Sequence, residues 1–250
     1  MGELLEIRRE GRVLHVALNR PEKRNALNLA LCGELAAALE DAAADPGVGA
    51  ILLKGNGKSF CAGMDLDEIL EADTGAVDRV HEELFTFGQR LAKPVVAAVH
   101  GAALAGGTGL VANCHVAVAA EDASFGLTEI RLGLWPLVIF RAMAAAVGER
   151  NTTEMALTGR IFGAPEALRH GLVHYIVPAP EVADRAAELA AGVAAFSPTA
   201  ISSGLFYAAE ARGKGSKEAG EIARRVREEI FASADFKEGV RAFREKRTPQ

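Results

Sequence analysis

The first two-thirds of the chain alternate between short apolar runs and longer segments whose apolar positions recur every three or four residues. The short runs predict strands at residues 4–9, 13–18, 50–54, 95–99, 116–119 and 173–177. The longer segments predict helices at 29–44, 65–72 and 78–91, and helical spacing dominates from 140 to about 244. Strands that alternate with helices, followed by a helical last third, predict an α/β body with a helical C-terminal region.

Composition narrows the choice of partner and compartment. Half of the 250 residues are hydrophobic, and the net charge of −5 disfavours nucleic acid as a partner. The cysteines (Cys32, Cys61 and Cys114) are odd in number and lack metal-ligand spacing, so we expect a cytoplasmic protein without a metal. Residues 94–120 carry no Asp, Glu, Lys or Arg, but their many Ala and Gly residues favour a buried strand–turn–helix–strand unit over a membrane span.

The segment "GAALAGGTGLVA" (101–112) is the densest run of small residues in the chain. It contains a G-x-G-x-x-A pattern, which is typical of dinucleotide sites. However, six residues (100–105) separate the preceding predicted strand from Gly106, and too few remain before residue 116 for a crossover helix. A Rossmann site is therefore disfavoured.

A second Gly-containing loop, "SFCAGMDLDE" (59–68), also precedes a predicted helix. Two such loops can point backbone N–H groups at one carbonyl oxygen and form an oxyanion hole. The N–H groups of Ala62 and Gly106 are the candidates. The same small residues also permit close helix packing, and spacing alone leaves both interpretations open.

Five segments in order carry a resemblance: "NRPEKRNALN" (19–28), the 59–68 loop, "KPVVAAVHGAALAGGTGLVANC" (93–114), "FGLTEIRLGLWP" (125–136) and "ALTGRIFGAPEALRHGLVHYIVP" (156–178). Together they resemble the crotonase superfamily, the enoyl-CoA hydratases and isomerases, from about residue 4 to the end. The resemblance implies a spiral β/β/α core over 1–195. It also implies a C-terminal helical trimerisation region over 196–250, giving a homotrimer or a dimer of trimers.

The resemblance further implies an acyl-CoA thioester substrate, with coenzyme A arriving as part of the substrate and no separate cofactor. The thioester oxygen would be held by Ala62 and Gly106, and Gly107 and Gly109 of the same segment would also contact the substrate. For the CoA part of the substrate, the expected binding residues are Lys23, Arg24 and Lys58 near the phosphates and Asp65 with Ala62 near the adenine. For the acyl part they are Met64, Trp135 and Phe140 on the acyl pocket and Cys61 beside the oxyanion residue. Phe243 and Lys246 are expected to lie over a neighbouring subunit's CoA.

The carboxylates bear on the reaction. Hydratases of the family carry two glutamates, at positions matched here by Gly109 and Glu129, so the first is missing. Hydration needs a base for water and an acid for the α-carbon, whereas one carboxylate can move a proton from C2 to C4. We therefore expect Glu129 to catalyse 3-enoyl-CoA to 2-enoyl-CoA isomerisation. One alternative is a hydratase that works with Glu129 and water alone, or with a second acid such as Glu82 or Glu83. The others are a non-catalytic acyl-CoA-binding subunit and decarboxylase or thioester hydrolase chemistry.

Overall fold

The computed structural model describes residues 3–69 and 73–249. Within these ranges the strands are β1 (Leu5–Glu10), β2 (Val13–Leu18), β3 (Ala50–Gly55), β4 (Val95–Val99), β5 (Ala102–Leu104), β6 (Val116–Ala120), β7 (Ser124–Gly126), β8 (Phe162–Gly163) and β9 (Tyr175–Val177). The helices are α1 (Leu29–Ala44), α2 (Leu66–Ile69), α3 (Thr74–Leu84), α4 (Phe87–Arg90), α5 (Gly106–Asn113), α6 (Leu137–Val147), α7 (Glu149–Thr158), α8 (Ala164–His170), α9 (Val182–Ala194), α10 (Pro198–Glu210), α11 (Ser216–Ala232) and α12 (Ala234–Glu245).

The main sheet has the strand order β1-β2-β3-β4-β6-β9. The β1–β2 hairpin is antiparallel, and every later neighbour pairs in parallel. Helix α9 packs across β2, β3, β4 and β6. Side chains of β3 and β4 are almost all fully buried, which explains why these strands are continuously apolar in the sequence.

A smaller sheet, β5-β7-β8, has no counterpart in the predicted elements. Its strands have two or three residues, too short to produce a periodic signal. An isolated bridge pairs Cys61 with Ala103 of β5. This sheet therefore fixes the 59–68 loop, the start of α5 and the chain that follows β7 relative to one another.

Most predicted elements are confirmed, with one clear error. Helix α1 has the predicted bounds, and the Asn28 side chain caps it by accepting the N–H of Leu31 at 3.0 Å. The single helix predicted over 78–91 is wrong, because α3 ends at Leu84 and α4 begins at Phe87. The Thr86 hydroxyl bonds back to the Glu82 carbonyl at 2.8 Å at this break. Of the helix predicted over 65–72, residues 70–72 lie outside the described residues.

The last third is helical, as predicted. Helices α10, α11 and α12 pack against one another, and α10 also contacts α4. Several aromatic side chains on these helices are exposed, as at Phe206, Phe231 and Phe243. The boundary at 195/196 and the trimer stay predictions. Among the described residues no single helix is long and apolar enough to cross a membrane, although the bent pair Ala179–Ala194 and Pro198–Glu210 reaches that length together.

Candidate active site

A cavity of about 360 Å³ lies between α3, the 59–68 loop, the start of α5 and the segment from residue 128 to 139. Its lining is mostly apolar. The apolar side chains are Leu27, Met64, Leu66, Val77, Phe85, Leu132, Leu134, Trp135, Leu137, Val138 and Ile139. A cavity of this size and character suits a hydrocarbon chain with a few fixed polar groups at one end.

The two Gly-containing loops meet at this cavity. The Cys61 N–H donates to the Ala102 carbonyl and the Leu104 N–H donates to the Cys61 carbonyl, both at 3.0 Å. A Cβ on Gly107 would lie 3.0 Å from the carbonyl carbon of Cys61, so only a glycine permits this approach. The close approach of the two loops thus explains much of the run of small residues.

The oxyanion donors differ from those expected. The Ala62 N–H, although Ala62 lines the cavity, donates to the Arg24 carbonyl at 3.0 Å. The expectation that Ala62 supplies a free donor is therefore wrong. In the part of the chain that the structure describes, the N–H groups of Met64 and Gly106 have no hydrogen-bond partner, and both residues line the cavity.

The local pairing of Met64 explains this difference. Met64 forms an isolated parallel bridge with Leu27, in which the Leu27 N–H donates to Gly63 and the Asp65 N–H donates to Leu27. In such a bridge the central residue turns its own N–H to the opposite side. The Met64 N–H consequently faces away from Leu27. The two paired residues lie in the segments "NAL" (25–27) and "GMD" (63–65), and their pairing is seen only in the structure.

Gly106 is the first residue of α5, so its N–H belongs to the unsatisfied set at a helix N-terminus. Ala105 precedes it with φ 49° and ψ −119°, a conformation that side-chain-bearing residues rarely adopt. The Ala105 N–H donates to the Gly126 carbonyl at 2.8 Å, which holds this turn against β7. The strained turn thus fixes the direction of the Gly106 N–H.

Glu129 begins a short 3₁₀ turn, Glu129–Leu132, and lines the same cavity as the two loops. Its Oε2 atom is buried and has no hydrogen-bond partner. Burial raises the pKa of the Glu129 carboxyl above its ordinary value of 4.5. Among the described residues Glu129 forms no ion pair, although Arg131 lies only two residues further along the chain. A desolvated, unpaired carboxylate in a cavity has the properties that a general base or acid requires.

Gly109 does not reach the cavity, because Ile139 covers it. A Cβ on Gly109 would lie 2.8 Å from the Ile139 Cβ, and the Ile139 Cγ2 lies closer still. The position matched to the missing glutamate is thus packed against a side chain of another element, Ile139 of α6. Ile139 itself is buried and lines the cavity, so this part of the wall is hydrocarbon.

Helix α3 supplies the wall that includes His81 and Asp78. His81 is buried and its ring packs edge-on against Phe85, with centroids 5.7 Å apart. Burial lowers the pKa of His81 below 6.5, and the nearby Asp78 carboxylate opposes this shift only in part. Glu82 and Glu83 are exposed and do not line the cavity, so the expectation that one of them acts as a second acid is not supported.

Of the remaining residues expected at the acyl pocket and the oxyanion site, some line the cavity and others do not. Met64 and Trp135 line the cavity as expected. Phe140 and Cys61 do not, which corrects both expectations. Phe140 stacks on Trp135 with centroids 6.1 Å apart, and Cys61 is fully buried, with the pKa of its thiol raised to about 12. Gly107 contributes the close packing described above rather than a lining surface.

The expected CoA contacts lie outside the cavity. Lys23 is exposed and pairs with Asp67 at 2.8 Å, which raises the pKa of its ammonium. Arg24 and Lys58 are exposed as well. Asp65 is buried and paired with Arg20 at 2.9 Å, so its carboxylate already has a partner within the chain.

Phe243 and Lys246 lie at the end of α12, away from the cavity lining of their own chain. Phe243 is 84% exposed. Their expected contact with a neighbouring subunit's CoA stays a prediction. Across residues 3–69 and 73–249, no cluster of three or more His, Cys, Asp or Glu side chains is arranged to hold a metal ion.

The chain is similar to known proteins over almost its whole length. The profile of the enoyl-CoA hydratase/isomerase family matches residues 8–250. The 2,3-dehydroadipyl-CoA hydratase of Escherichia coli K12 is 37% identical over 256 residues, covering 100% of this chain and 98% of that protein. The enoyl-CoA hydratase EchA19 of Mycobacterium tuberculosis is 34% identical, covering 97% and 94%. The crystal structure of enoyl-CoA hydratase from Mycobacterium smegmatis superposes with a TM-score of 0.94 at 33% identity, covering 100% and 99%.

Proposed function

Since this chain belongs to the enoyl-CoA hydratase/isomerase family and has its crotonase fold, we propose that it isomerises 3-enoyl-CoA thioesters to 2-enoyl-CoA thioesters. The observation that supports the proposal is the packing of the Ile139 side chain on Gly109. Hydratases of the family carry a second glutamate at the position of Gly109, whereas this chain has hydrocarbon there. Glu129 is left as the buried carboxylate of the cavity.

The proposed reaction conserves every atom of the substrate. The Glu129 carboxylate removes a proton from C2 of the 3-enoyl thioester, and the electron pair of that C–H bond moves toward the thioester oxygen. The dienolate that results is protonated at C4 by the Glu129 carboxylic acid. The double bond then lies between C2 and C3, and Glu129 returns to its starting state. Neither water nor a redox partner takes part.

The chain's own groups favour the charged intermediate. The N–H groups of Met64 and Gly106 would donate to the thioester oxygen, where negative charge develops. Each such donor contributes about 3–4 kcal/mol in the transition state of enzymes where it has been removed. The N-terminus of α5 adds a partial positive charge at the same place. Burial raises the pKa of the Glu129 carboxyl, which reduces the difference between its pKa and that of the weakly acidic C–H group at C2.

A hydratase is the second candidate, and the names of the relatives favour it. Both curated relatives described above are named as hydratases. In that case Glu129 would both activate the water and protonate the α-carbon, or His81, which lines the same cavity, would share the task. The hydrocarbon surface of Ile139 argues against a held water molecule at the other side of the substrate.

Two substrates in heavy water distinguish the candidates. The protein is incubated separately with 3-hexenoyl-CoA and 2-hexenoyl-CoA, and the products are followed by mass spectrometry and NMR. Isomerisation predicts conversion between the two with deuterium at C2 and C4 and no gain of water. Formation of 3-hydroxyhexanoyl-CoA at a comparable rate would establish the hydratase instead.

The matched variants are Glu129→Gln and Glu82→Gln. Glu82 is an exposed carboxylate on α3 that does not line the cavity, so its change controls for loss of one negative charge. We expect Glu129→Gln to slow isomerisation by about 10²- to 10⁴-fold and Glu82→Gln to leave it unchanged. A protein that binds hexanoyl-CoA but turns over neither enoyl substrate, with or without Glu129, would instead be an acyl-CoA-binding subunit.

A further inference from the structure

His81 is a polar side chain in an otherwise apolar stretch of the cavity wall. It is 8% exposed and lies among Val77, Phe85 and Leu27, which line the same cavity. In the part of the chain that the structure describes, neither of its ring nitrogens has a hydrogen-bond partner. The proposed proton transfer does not use it.

Packing alone does not explain an imidazole at this position, because phenylalanine would fill a similar volume and would also pack on Phe85. The imidazole is also neutral at physiological pH, because burial lowers its pKa. It therefore offers one N–H donor and one acceptor nitrogen to a molecule in the cavity.

Asp78 narrows the chemistry of that molecule. It precedes His81 by three residues on α3, so the two side chains lie on the same helical face, and both line the cavity. The Asp78 carboxylate repels a second carboxylate but not a neutral group. Among the described lining residues no Lys or Arg is present to bind an anion. The polar part of the ligand that this wall fits is thus not an anion.

We infer that His81 selects acyl-CoA thioesters whose acyl chain carries a hydroxyl group, while Asp78 disfavours chains that end in a carboxylate. A hydroxyl can both donate to and accept from the imidazole, which satisfies it whichever ring nitrogen carries the proton. The inference rests on the proposed acyl-CoA function for the identity of the cavity. It adds to that function a preference for which polar group the acyl chain of the substrate carries.

The test measures binding of saturated thioesters, which cannot react and so report on selection alone. Isothermal titration compares hexanoyl-CoA, 5-hydroxyhexanoyl-CoA, 6-hydroxyhexanoyl-CoA and adipoyl-CoA. The proteins are the wild type, His81→Phe, His81→Gln and Asp78→Asn. Phenylalanine keeps the packing on Phe85 without a hydrogen bond, and glutamine keeps a donor and an acceptor, so both report on the same position.

We expect the wild type to bind at least one of the hydroxyhexanoyl thioesters about tenfold more tightly than hexanoyl-CoA. His81→Phe should abolish or reverse that preference, and His81→Gln should retain part of it. Adipoyl-CoA should bind more weakly than hexanoyl-CoA, and Asp78→Asn should reduce the difference.

Equal binding of hexanoyl-CoA and both hydroxy analogues by the wild type would overturn the inference while leaving the proposed isomerase intact. A hydroxyl preference that survives in His81→Phe would overturn the role of His81 in particular. Failure of all four thioesters to bind would refute the acyl-CoA assignment of the cavity and the inference with it.

Discussion

The side chain of Thr108 and the backbone of Gly126 are joined inside the protein. The Thr108 hydroxyl accepts the Gly126 N–H at 3.1 Å and donates to the Ala103 carbonyl at 2.7 Å. Thr108 lies in the first turn of α5, two residues after Gly106, and Gly126 ends the strand that leads to Glu129. One buried hydroxyl therefore links the helix that carries a proposed oxyanion donor to the segment that carries the proposed base.

Replacing Thr108 by valine keeps the shape and removes this link. The Gly126 N–H would be left buried without a partner, so we expect the free energy of unfolding to fall by about 1–3 kcal/mol. We also expect kcat for isomerisation to fall by about 10- to 100-fold, because the two halves of the site lose their common anchor. Thr108→Ser keeps the hydroxyl and should retain most of kcat. Equal kcat in the valine variant and the wild type would show that the site is positioned by other contacts.

The raised pKa of Glu129 has a consequence for stability. The folded protein holds the Glu129 proton more tightly than the unfolded chain, where the pKa is near 4.5. By linkage, Glu129 makes stability fall as pH rises from about 4.5 through the folded-state pKa. Glu129→Gln removes the buried charge, so we expect this variant to be more stable than the wild type at pH 7, although its isomerisation should be slower. Denaturant unfolding at pH 7 and at pH 4 measures the difference, which should shrink at the lower pH.

The same carboxyl sets the pH profile of the reaction. A base must be ionised, so kcat/KM for 3-hexenoyl-CoA should fall as pH drops through a pKa that lies above 4.5. The profile of His81→Gln distinguishes this from titration of the imidazole in the same cavity. An acidic limb that disappears in His81→Gln would assign it to His81 rather than to Glu129.

The contact between Gly109 and Ile139 predicts an energetic coupling. Alanine is normally favoured over glycine inside a helix by about 0.5–1 kcal/mol. Here Gly109→Ala should destabilise the protein by about 1–3 kcal/mol instead, because the new methyl group meets Ile139. In an Ile139→Ala background the same change should cost at least about 1 kcal/mol less. A double-mutant cycle by urea unfolding measures the coupling free energy between the two positions. Additive effects would show that the side chains at positions 109 and 139 do not clash.

Ala105 offers a test of backbone strain next to the site. Its φ of 49° and ψ of −119° suit glycine far better than alanine. Ala105→Gly should therefore raise the free energy of unfolding by about 1 kcal/mol. Ala112→Gly, inside the same helix at ordinary dihedral angles, should lower it by a similar amount. Thermal unfolding of the two variants gives shifts of opposite sign if the turn is strained.

Much of the architecture could be predicted from the sequence because its periodicity is strong. Helix α1 and strand β4 have the predicted bounds, since each is long or continuously apolar and ends at a clear signal. The small sheet could not be predicted, because β5, β7 and β8 are held by pairing with distant residues rather than by any local pattern. The break between α3 and α4 depends in the same way on packing, as α4 contacts α5 and α10.

Some residues of the candidate site could likewise be identified from the sequence, and others could not. Glu129 and Gly106 could be identified from their motifs, and both line the cavity. Met64 was expected as a wall of the pocket and Ala62 as the donor, because the sequence does not reveal which N–H groups the bridge to Leu27 leaves free. Ile139 carried no signal at all. Its importance comes from lying over Gly109, a contact between two helices far apart in the sequence.

The one-sided arrangement of the cavity fixes the stereochemistry of the proposed reaction. With Glu129 as the buried base and hydrocarbon from Ile139 where the second glutamate of a hydratase would be, the proton leaves C2 and arrives at C4 on the same face of the planar dienolate. The transfer is then suprafacial. A substrate labelled stereospecifically at C2 should lose only the hydrogen on that face, and part of the label should reappear at C4 whenever the transfer is faster than exchange with solvent.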